Sequence, residues 1–229
     1  MNKHEVEAAA QILAESFRTG RTLDRLTGPL APLDIQDSYA IQDAVAQLRG
    51  PITGWKIANG DPPHCSPTFT TLTPNAGVAL GRLHQPKAEI EFGFVVLEDM
   101  LSRDRPYQAE EVFDRIAVTP MIEIVASRYL DRTKCSHFEI LADGSNGALI
   151  AGDTVKRNWR ALDFRQIPVT LAINGTLVQS ALGTHPLPNP ATLVAWLSNH
   201  AMQRGGLKRG MVATTGGLKG ATQSNRETG

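Results

Sequence analysis

The stretch AEIEFGFVV, residues 88–96, has the residue types of a β-strand but contains two glutamates, Glu89 and Glu91. Side chains alternate along a strand, so both glutamates lie on one face, whereas the other face, which includes Ile90 and Phe92, is apolar and predicts a core. The two carboxylates stand roughly 7 Å apart and repel each other. Water on the solvated side of an antiparallel sheet relieves this repulsion, and so does a bound metal ion. The strand alone leaves both alternatives open.

The composition narrows the class of protein. With 229 residues, of which 41 % are hydrophobic, the chain can bury a core as one domain with an appendage or as two small domains. Its 23 basic and 23 acidic residues balance, which argues against nucleic acid or an anionic membrane as partner. No apolar run approaches the roughly 20 residues that span a bilayer, and the N-terminus lacks a signal-peptide pattern. We therefore expect a cytoplasmic protein.

The two cysteines, Cys65 and Cys135, lie far apart and form no C-x-x-C or Cys/His pattern. This spacing favours reduced thiols and no zinc site. Neither cysteine is a strong candidate for a nucleophile.

Apolar periodicity and capping signals predict four helices. Asn2 begins the first and Gly20 ends it, and Asp34 caps the second. The predicted helices cover about residues 2–20, 34–50, 108–117 and 189–206.

Strand signals dominate after residue 50. The runs lie at residues 52–58, 77–83, 88–97, 120–128 and 147–152, and on both sides of Asn174-Gly175. This Asn-Gly pair favours a type I′ hairpin. We expect three parts, which are a helical segment (1–50), a β-rich catalytic body (51–217) and a mobile or irregular tail (218–229).

Several motifs in this order resemble the fumarylacetoacetate hydrolase superfamily, in particular its branch of 2-keto-4-pentenoate hydratases and 4-oxalocrotonate decarboxylases. The resemblance covers nearly the whole chain to about residue 217, and SYAIQDAV, residues 38–45, fits the same branch. The motifs are GWKIA (54–58), AEIEFGFVV (88–96), MIEIVASR (121–128), ADGSNGALIAG (142–152) and NPATLVAWLSNHAMQRGGLKRGMVATTGG (189–217).

The resemblance implies an α+β fold, with a short helical N-terminal segment and a mixed, distorted β-barrel-like body that holds a divalent cation. The matching metal ligands are Glu89, Glu91 and Glu123. Hard oxygen donors suit Mg²⁺, or Mn²⁺, with coordination positions left for water or substrate oxygens. In isolation, Glu123 in MIEIV also fits a solvated glutamate between buried isoleucines.

The remaining site residues also follow from the resemblance. Lys56 matches the lysine of the G-x-K strand and is the candidate for proton transfer, although a single lysine at a strand end usually extends to solvent. Ser145, Thr215 and Gly216 match positions near the substrate, although turn serines and glycines often serve local geometry. His185 has no spacing that suggests metal or triad chemistry, so we interpret it as structural.

The implied function is a metal-dependent lyase of small 2-oxo or 2-hydroxydienoic acids. The first choice is a 2-keto-4-pentenoate hydratase of aromatic-compound catabolism. The alternatives are a 4-oxalocrotonate-type decarboxylase, an acylpyruvate hydrolase, and a catalytically weak oxo-acid-binding or partner subunit. The branch also implies a homo-oligomer and association with a related decarboxylase or hydratase.

Two positions depart from the family pattern. Hydratases of this branch commonly carry an acidic residue in the loop after the G-x-K strand, where PTFTTL, residues 67–72, has Thr68. Because that acid is suited to activating water, we expect weakened hydration. Relatives also continue into further β structure after the position of Gly217, so we expect an unpaired sheet edge, a more open site and weak catalysis.

Overall fold

The computed structural model describes residues 1–73, 82–173 and 175–218 of the chain. These ranges contain five α-helices, four short 3-10 turns and nine strands. No helix within them is both long enough and apolar enough to cross a bilayer. Most of the predicted strand at 77–83, the turn residue Asn174 and the tail from residue 219 onward lie outside the described residues, so the predictions made for them stay predictions.

Two helices open the chain where the sequence predicts them. Asn2 caps α1, Lys3–Thr19, and Gly20 ends it with a φ of 74°. Asp34 caps α2, Ile35–Arg49. The two helices pack against each other and share a buried apolar cluster with later segments. This cluster consists of Ala9, Ala10, Leu13, Leu26, Ile41, Val45, Tyr129 and Ala142.

The rest of the protein is built on a seven-stranded mixed sheet and a separate two-stranded hairpin. The strands are β1 Gly54–Ala58, β2 His64–Thr68, β3 Thr71–Leu72, β4 Lys87–Val96, β5 Ile116–Val125, β6 Asn146–Ala151, β7 Ile167–Ile173, β8 Thr176–Gly183 and β9 Val212–Thr214. The large sheet has the order β2-β1-β9-β4-β5-β6-β3, and β7 pairs with β8. The β1–β9 and β3–β6 pairs are parallel, and the other pairs are antiparallel.

The two end strands of the large sheet, β2 and β3, are consecutive in the chain. Phe69 and Thr70 alone join them, so the sheet curls until its ends approach each other. The Asn146 side chain on β6 reaches across the gap and donates a hydrogen bond of 2.6 Å to the Pro67 carbonyl on β2. The body is therefore a curled, barrel-like sheet, which confirms the predicted α+β fold.

The curled sheet has two different faces. The predicted core residues of β4 are all buried on one face, where the Phe94 ring meets Trp159 edge-on at 5.8 Å. The opposite face, called the inner face from here on, carries the glutamates and a small apolar cluster of Met121, Leu149 and Val212. Gly93 follows Glu91 by two residues on this face, and a Cβ there would stand 2.4 Å from the Met121 Cε. Because glycine has no side chain, Met121 can pack directly against β4 at this position.

The later helices differ in part from the predictions. α3 is Ala109–Phe113, shorter than the predicted 108–117, because Ile116 already begins β5. α4, His137–Asp143, was not predicted. α5, Ala191–His200, and the 3-10 turn after it lie within the predicted 189–206. Strand β2 was not predicted either, whereas β5 begins four residues before the predicted start at residue 120.

A buried ion pair holds the segment after β5 against α4. Arg128 and Asp143 are each 4 % exposed, and the Arg128 Nε donates to the Asp143 Oδ1 over 2.7 Å. Asp143 also accepts hydrogen bonds from the Ser127 hydroxyl (2.9 Å) and the Ser145 backbone N–H (3.2 Å). Because both charges are removed from water, each depends on the other for compensation.

We expect Asp143→Asn to lower the free energy of unfolding by about 3–5 kcal/mol, because Arg128 would remain buried without a counter-charge. Urea unfolding of the wild type and the variant measures the difference. The matched control is Asp163→Asn, which removes an exposed carboxylate 3.1 Å from Arg165 and should change the free energy of unfolding little. Equal losses in the two variants would contradict a buried role for the pair.

Candidate metal centre

Three glutamates converge on the inner face because of the way β4 pairs with β5. Glu89 lies directly opposite Glu123 in this antiparallel pair, and Glu91 follows Glu89 by two residues on the same face. One carboxylate oxygen from each of the three lies within 4.8 Å of the others. The structure thus brings together the three residues predicted as metal ligands.

The three carboxylates differ in environment. Glu91 is 1 % exposed, Glu123 is 4 % exposed, and Glu89 is half-buried. Burial, and then the charge of Glu123, raises the pKa of Glu91 well above its ordinary value. The same two causes, in the same order, raise the pKa of Glu89. The fold therefore holds Glu89 and Glu91 where their ionised forms are disfavoured.

Lys56 supplies a positive charge in contact with the cluster. Its Nζ donates to the Glu123 Oε1, and the Thr214 hydroxyl lies 3.4 Å from the Glu123 Oε2. The Gly216 backbone N–H donates to the Glu91 Oε2 over 3.1 Å. The Glu91 Oε1 is buried and has no hydrogen-bond partner among the described residues.

These features fit a divalent cation. Three carboxylates and one ammonium leave a formal charge of about −2 at a buried position, which a divalent ion neutralises. The unpartnered Glu91 Oε1 gives such an ion a free oxygen donor. Carboxylate oxygens are the donors that Mg²⁺, Mn²⁺ and Ca²⁺ prefer. The acidic cluster can therefore hold a divalent metal ion.

A cavity of about 230 Å³ opens beside the cluster. Lys56 and Glu89 line it together with Ser66 on β2, which lies opposite Lys56 in the β1–β2 pair. Basic side chains not identified from the sequence also line it. These are His64, Arg132 and His137.

Ser145 lies in this cavity, as a substrate-contacting residue should. It follows the end of α4, with a φ of 49°, and its backbone N–H is fixed by the Asp143 carboxylate. The contact with Asp143 stabilises the turn, and in this turn Ser145 is one of the residues that line the cavity. The substrate contact itself stays a prediction.

Thr215 and Gly216 lie behind the cluster and are not among the residues that line the cavity. Gly216, with a φ of 102°, directs its N–H at Glu91. The Thr215 hydroxyl is buried without a hydrogen-bond partner among the described residues. Their contact with substrate stays a prediction. The observed contact of Gly216 is with Glu91, which is a candidate metal ligand.

His185 positions this segment. The Leu187 backbone N–H donates to its Nδ1 over 3.0 Å, so the Nε2 carries the proton and donates to the Thr215 carbonyl at 3.1 Å. Burial lowers the pKa of His185, which favours the neutral ring. These contacts agree with the interpretation of His185 as structural.

The sequence pattern of a family described as "Fumarylacetoacetate (FAA) hydrolase C-terminal" matches residues 39–228, which is well over half of the chain. The chain belongs to the fumarylacetoacetate hydrolase family. The resemblance drawn from the motifs is thereby confirmed.

Relatives from the predicted branch match almost the full chain. The 2-keto-4-pentenoate hydratase of Paraburkholderia xenovorans (strain LB400) is 28 % identical, with 95 % of this chain and 87 % of the relative covered. The 4-oxalocrotonate decarboxylase of Pseudomonas sp. (strain CF600) is 29 % identical, with 96 % and 89 % covered.

A solved structure has the same fold. The 4-oxalocrotonate decarboxylase from Pseudomonas putida G7, in complex with magnesium and adipate, superimposes with a TM-score of 0.78. The match covers 100 % of this chain and 92 % of that one at 22 % sequence identity. It confirms the barrel-like body and the helical segment before it.

We expect Glu91→Gln to raise the melting temperature of the metal-free protein at neutral pH. A carboxyl group whose pKa is raised by folding destabilises the fold at pH values above 4.5, its ordinary pKa. This destabilisation grows until the pH passes the raised pKa. An amide has no charged form, so the substitution removes this destabilisation. The same variant should lose the stabilisation that magnesium gives the wild type, because an amide is a poorer ligand. Thermal melts with and without magnesium measure both effects.

The matched control is Glu98→Gln, which removes an exposed carboxylate and should change neither melt. Magnesium stabilisation of Glu91→Gln equal to that of the wild type would remove Glu91 from the ligand set.

Proposed function

We propose that this protein is a magnesium-dependent (or manganese-dependent) lyase of small 2-oxo acids. Among the activities of this class, our first choice is hydration of the 2-keto-4-pentenoate type. The observation that carries the proposal is the cluster of three glutamate oxygens within 4.8 Å, beside Lys56 and open to a cavity. The named activities of the relatives support the substrate class. Aromatic-compound catabolism, the cytoplasmic location, the homo-oligomer and the association with a related decarboxylase or hydratase belong to the same proposal.

Lys56 is the proton carrier in this proposal. When bound, a divalent ion supplies positive charge that stabilises the enolate of a 2-oxo acid. The contact with the Glu123 Oε1 holds the Lys56 ammonium between the carboxylates and the cavity, where Glu89 also lies. From this position Nζ can deliver a proton to the substrate carbon chain and accept one in the reverse direction.

The cavity walls would orient the substrate. Ser66 and Ser145 are each 4 % exposed and line the cavity from two different elements. The Gln42 amide, which donates to the Ser66 hydroxyl over 3.0 Å, fixes one of them, and Asp143 fixes the backbone of the other. Such fixed hydroxyls can bind a carboxylate in a single orientation.

Hydration also requires a base that takes a proton from water. Thr68 lacks a carboxylate, and Glu89 is the one acidic side chain among the described residues that line the cavity. Of the two histidines that line the cavity, His64 is our candidate base, because burial, and then the charge of His137, lowers its pKa and favours the neutral imidazole.

Thr68 favours a second candidate function, which is decarboxylation of the 4-oxalocrotonate type. Loss of carbon dioxide into an enolate needs an electron sink and a proton donor, but no base to activate water. Cleavage of acylpyruvates needs activated water, as hydration does. A chain that only binds oxo acids, or acts as a partner subunit, would show binding without turnover.

The purified protein with magnesium, supplied with 2-hydroxypenta-2,4-dienoate and with its carboxylated analogue, tests these proposals. Formation of a 4-hydroxy-2-oxo acid supports hydration, and release of carbon dioxide from the analogue supports decarboxylation. Binding of oxalate without turnover of either compound would contradict the lyase proposal. It would instead support a chain that only binds oxo acids or acts as a partner subunit.

We expect Lys56→Met to lower turnover of an accepted substrate by about 100-fold, the scale of a lost general acid–base group. Magnesium affinity should persist, because the three carboxylates are unchanged. Steady-state kinetics and calorimetry measure the two properties separately. The control is Lys87→Met, which removes an exposed lysine at the start of β4 and should keep wild-type turnover. Wild-type turnover in Lys56→Met would assign the proton to another group.

A further inference from the structure

The side chain of Gln42 connects helix α2 to the wall of the cavity beside the metal cluster. It is buried and belongs to SYAIQDAV, residues 38–45, a segment that takes no part in the metal cluster itself. Its Nε2 donates to the Leu141 carbonyl over 2.7 Å, to the Cys65 carbonyl over 3.2 Å and to the Ser66 hydroxyl over 3.0 Å. All three of these neighbours line the cavity. A buried amide of the helical segment therefore contacts the wall of the site directly.

Arg204 holds the other end of this amide. Its Nη2 donates to the Gln42 Oε1 over 3.0 Å, and its Nε and Nη2 lie 2.7 and 2.6 Å from the Asp43 Oδ1. The guanidinium also lies over the rings of Tyr39 and Trp55, at 5.1 and 4.9 Å from their centroids. Only 7 % of the Arg204 side chain is exposed. The donor that binds Gln42 is therefore itself fixed by an ion pair and by two rings.

These contacts determine which end of the Gln42 amide is the oxygen. A guanidinium can only donate hydrogen bonds, so the atom that faces Arg204 must be the acceptor Oε1. The carbonyls of Cys65 and Leu141 can only accept, so the atom that faces them must be the donor Nε2. Both sets of neighbours give the same orientation, and a reversed amide would lose all of these hydrogen bonds.

The orientation of the amide determines what Ser66 offers to a ligand. An amide NH2 group donates and does not accept, so the Ser66 oxygen accepts from Gln42 and the hydroxyl hydrogen is not used in that contact. The hydroxyl of Ser145 differs, because the Asp143 carboxylate is an acceptor for it at 3.5 Å. These two serines carry the hydroxyl groups among the described residues that line the cavity. Ser66 is therefore the one whose hydrogen is free for an anionic oxygen.

The free hydroxyl lies beside the groups that would act on a substrate. Ser66 faces Lys56 across the β1–β2 pair, and Glu89 lines the same cavity. Gly144, with a φ of 68°, lies against Ser66, and a Cβ there would stand 3.2 Å from the Ser66 Oγ. Because glycine has no side chain, the space beside the hydroxyl stays open.

We propose that Gln42, anchored by Arg204, is a positioning residue that makes the Ser66 hydroxyl a donor to the carboxylate of the substrate. This inference rests on the proposed function, in which a small 2-oxo acid lies beside the metal cluster and Lys56. The helical segment thus takes part in substrate binding, although none of its described residues lines the cavity. A hydrogen bond to the carboxylate is the same before and during proton transfer, so it acts on affinity and not on turnover.

A double-mutant cycle tests this role, with 2-oxopentanoate as the probe and calorimetry in the presence of magnesium as the measurement. We expect Ser66→Ala to weaken binding about tenfold, the scale of a hydrogen bond to a charged group. Gln42→Glu keeps the shape and the contact with Arg204, but its carboxylate accepts the Ser66 hydrogen, so the loss should be similar. The double variant should bind as weakly as either single variant, because both changes remove the same hydrogen bond.

Steady-state kinetics with an accepted substrate distinguish positioning from a general loss of structure. Gln42→Glu should raise KM about tenfold and keep kcat within about twofold, because the hydrogen bond contributes uniform binding. Lys56→Met, by contrast, should lower kcat.

Gln47→Glu is the matched control. It places the same charge at an exposed position of α2 and should leave the affinity for 2-oxopentanoate unchanged. Arg204→Met is a second variant, which decides the case if Gln42→Glu does not fold. It retains apolar contact with the rings of Tyr39 and Trp55 but removes the donor to the Gln42 Oε1. We expect it to weaken binding about threefold, the scale of one neutral hydrogen bond, and to have no effect in the Ser66→Ala background.

The outcomes separate this inference from the proposed function. Wild-type affinity in Ser66→Ala or in both Gln42→Glu and Arg204→Met, or losses that multiply in the double variant, overturn the positioning role and leave the lyase proposal intact. An equal loss in Gln47→Glu shows only a diffuse charge effect and also overturns it. If the wild type does not bind 2-oxopentanoate with magnesium present, the proposed function fails and this inference fails with it.

Discussion

The antiparallel pairing of β4 with β5 is the interaction on which the site depends. It places Glu89 opposite Glu123 and puts Glu91 on the same face, so three carboxylates meet. A slip of one residue in β4 would turn its glutamates toward the aromatic core and its phenylalanines toward the cluster. The large apolar side chains on the other face, such as Phe94, make that slip prohibitive. The core therefore fixes the register, and the register assembles the acids.

The surrounding structure then holds together groups that would otherwise separate. Asp143 fixes the turn of Ser145, and His185 fixes the carbonyl of Thr215, so that the next residue, Gly216, can direct its N–H at Glu91. The contacts made by His185 and Gly216 are hydrogen bonds from neutral groups, and the charge of Asp143 is balanced by Arg128. They stabilise the geometry without cancelling the negative charge of the cluster, and its affinity for a cation is thereby retained.

The sequence predicts the parts of this protein that obey local periodicity. The alternation in β4 places Glu89 and Glu91 on one face, and the caps at Asn2 and Asp34 mark two helices. Helix α4 was missed although Ser136 and Glu139 form the S-x-x-E capping box, because its seven residues are too few for a periodic signal. Strand β2 was missed because its sequence HCSPT contains a proline and lacks an apolar alternation.

The basic side chains that line the cavity, His64, Arg132 and His137, could not be predicted, because His64 lies far from the other two in the chain and no local pattern relates them. The curl that brings them together also determines how a ligand reaches the acids. Because Phe69 and Thr70 alone connect the two end strands, β2 and β3 stay close together where the chain passes from one to the other. Glu89 is half-buried and lines the same cavity as His64, so a ligand can reach the acids through this cavity. The side chains that line this cavity would therefore affect both the entry of a substrate and the release of a product.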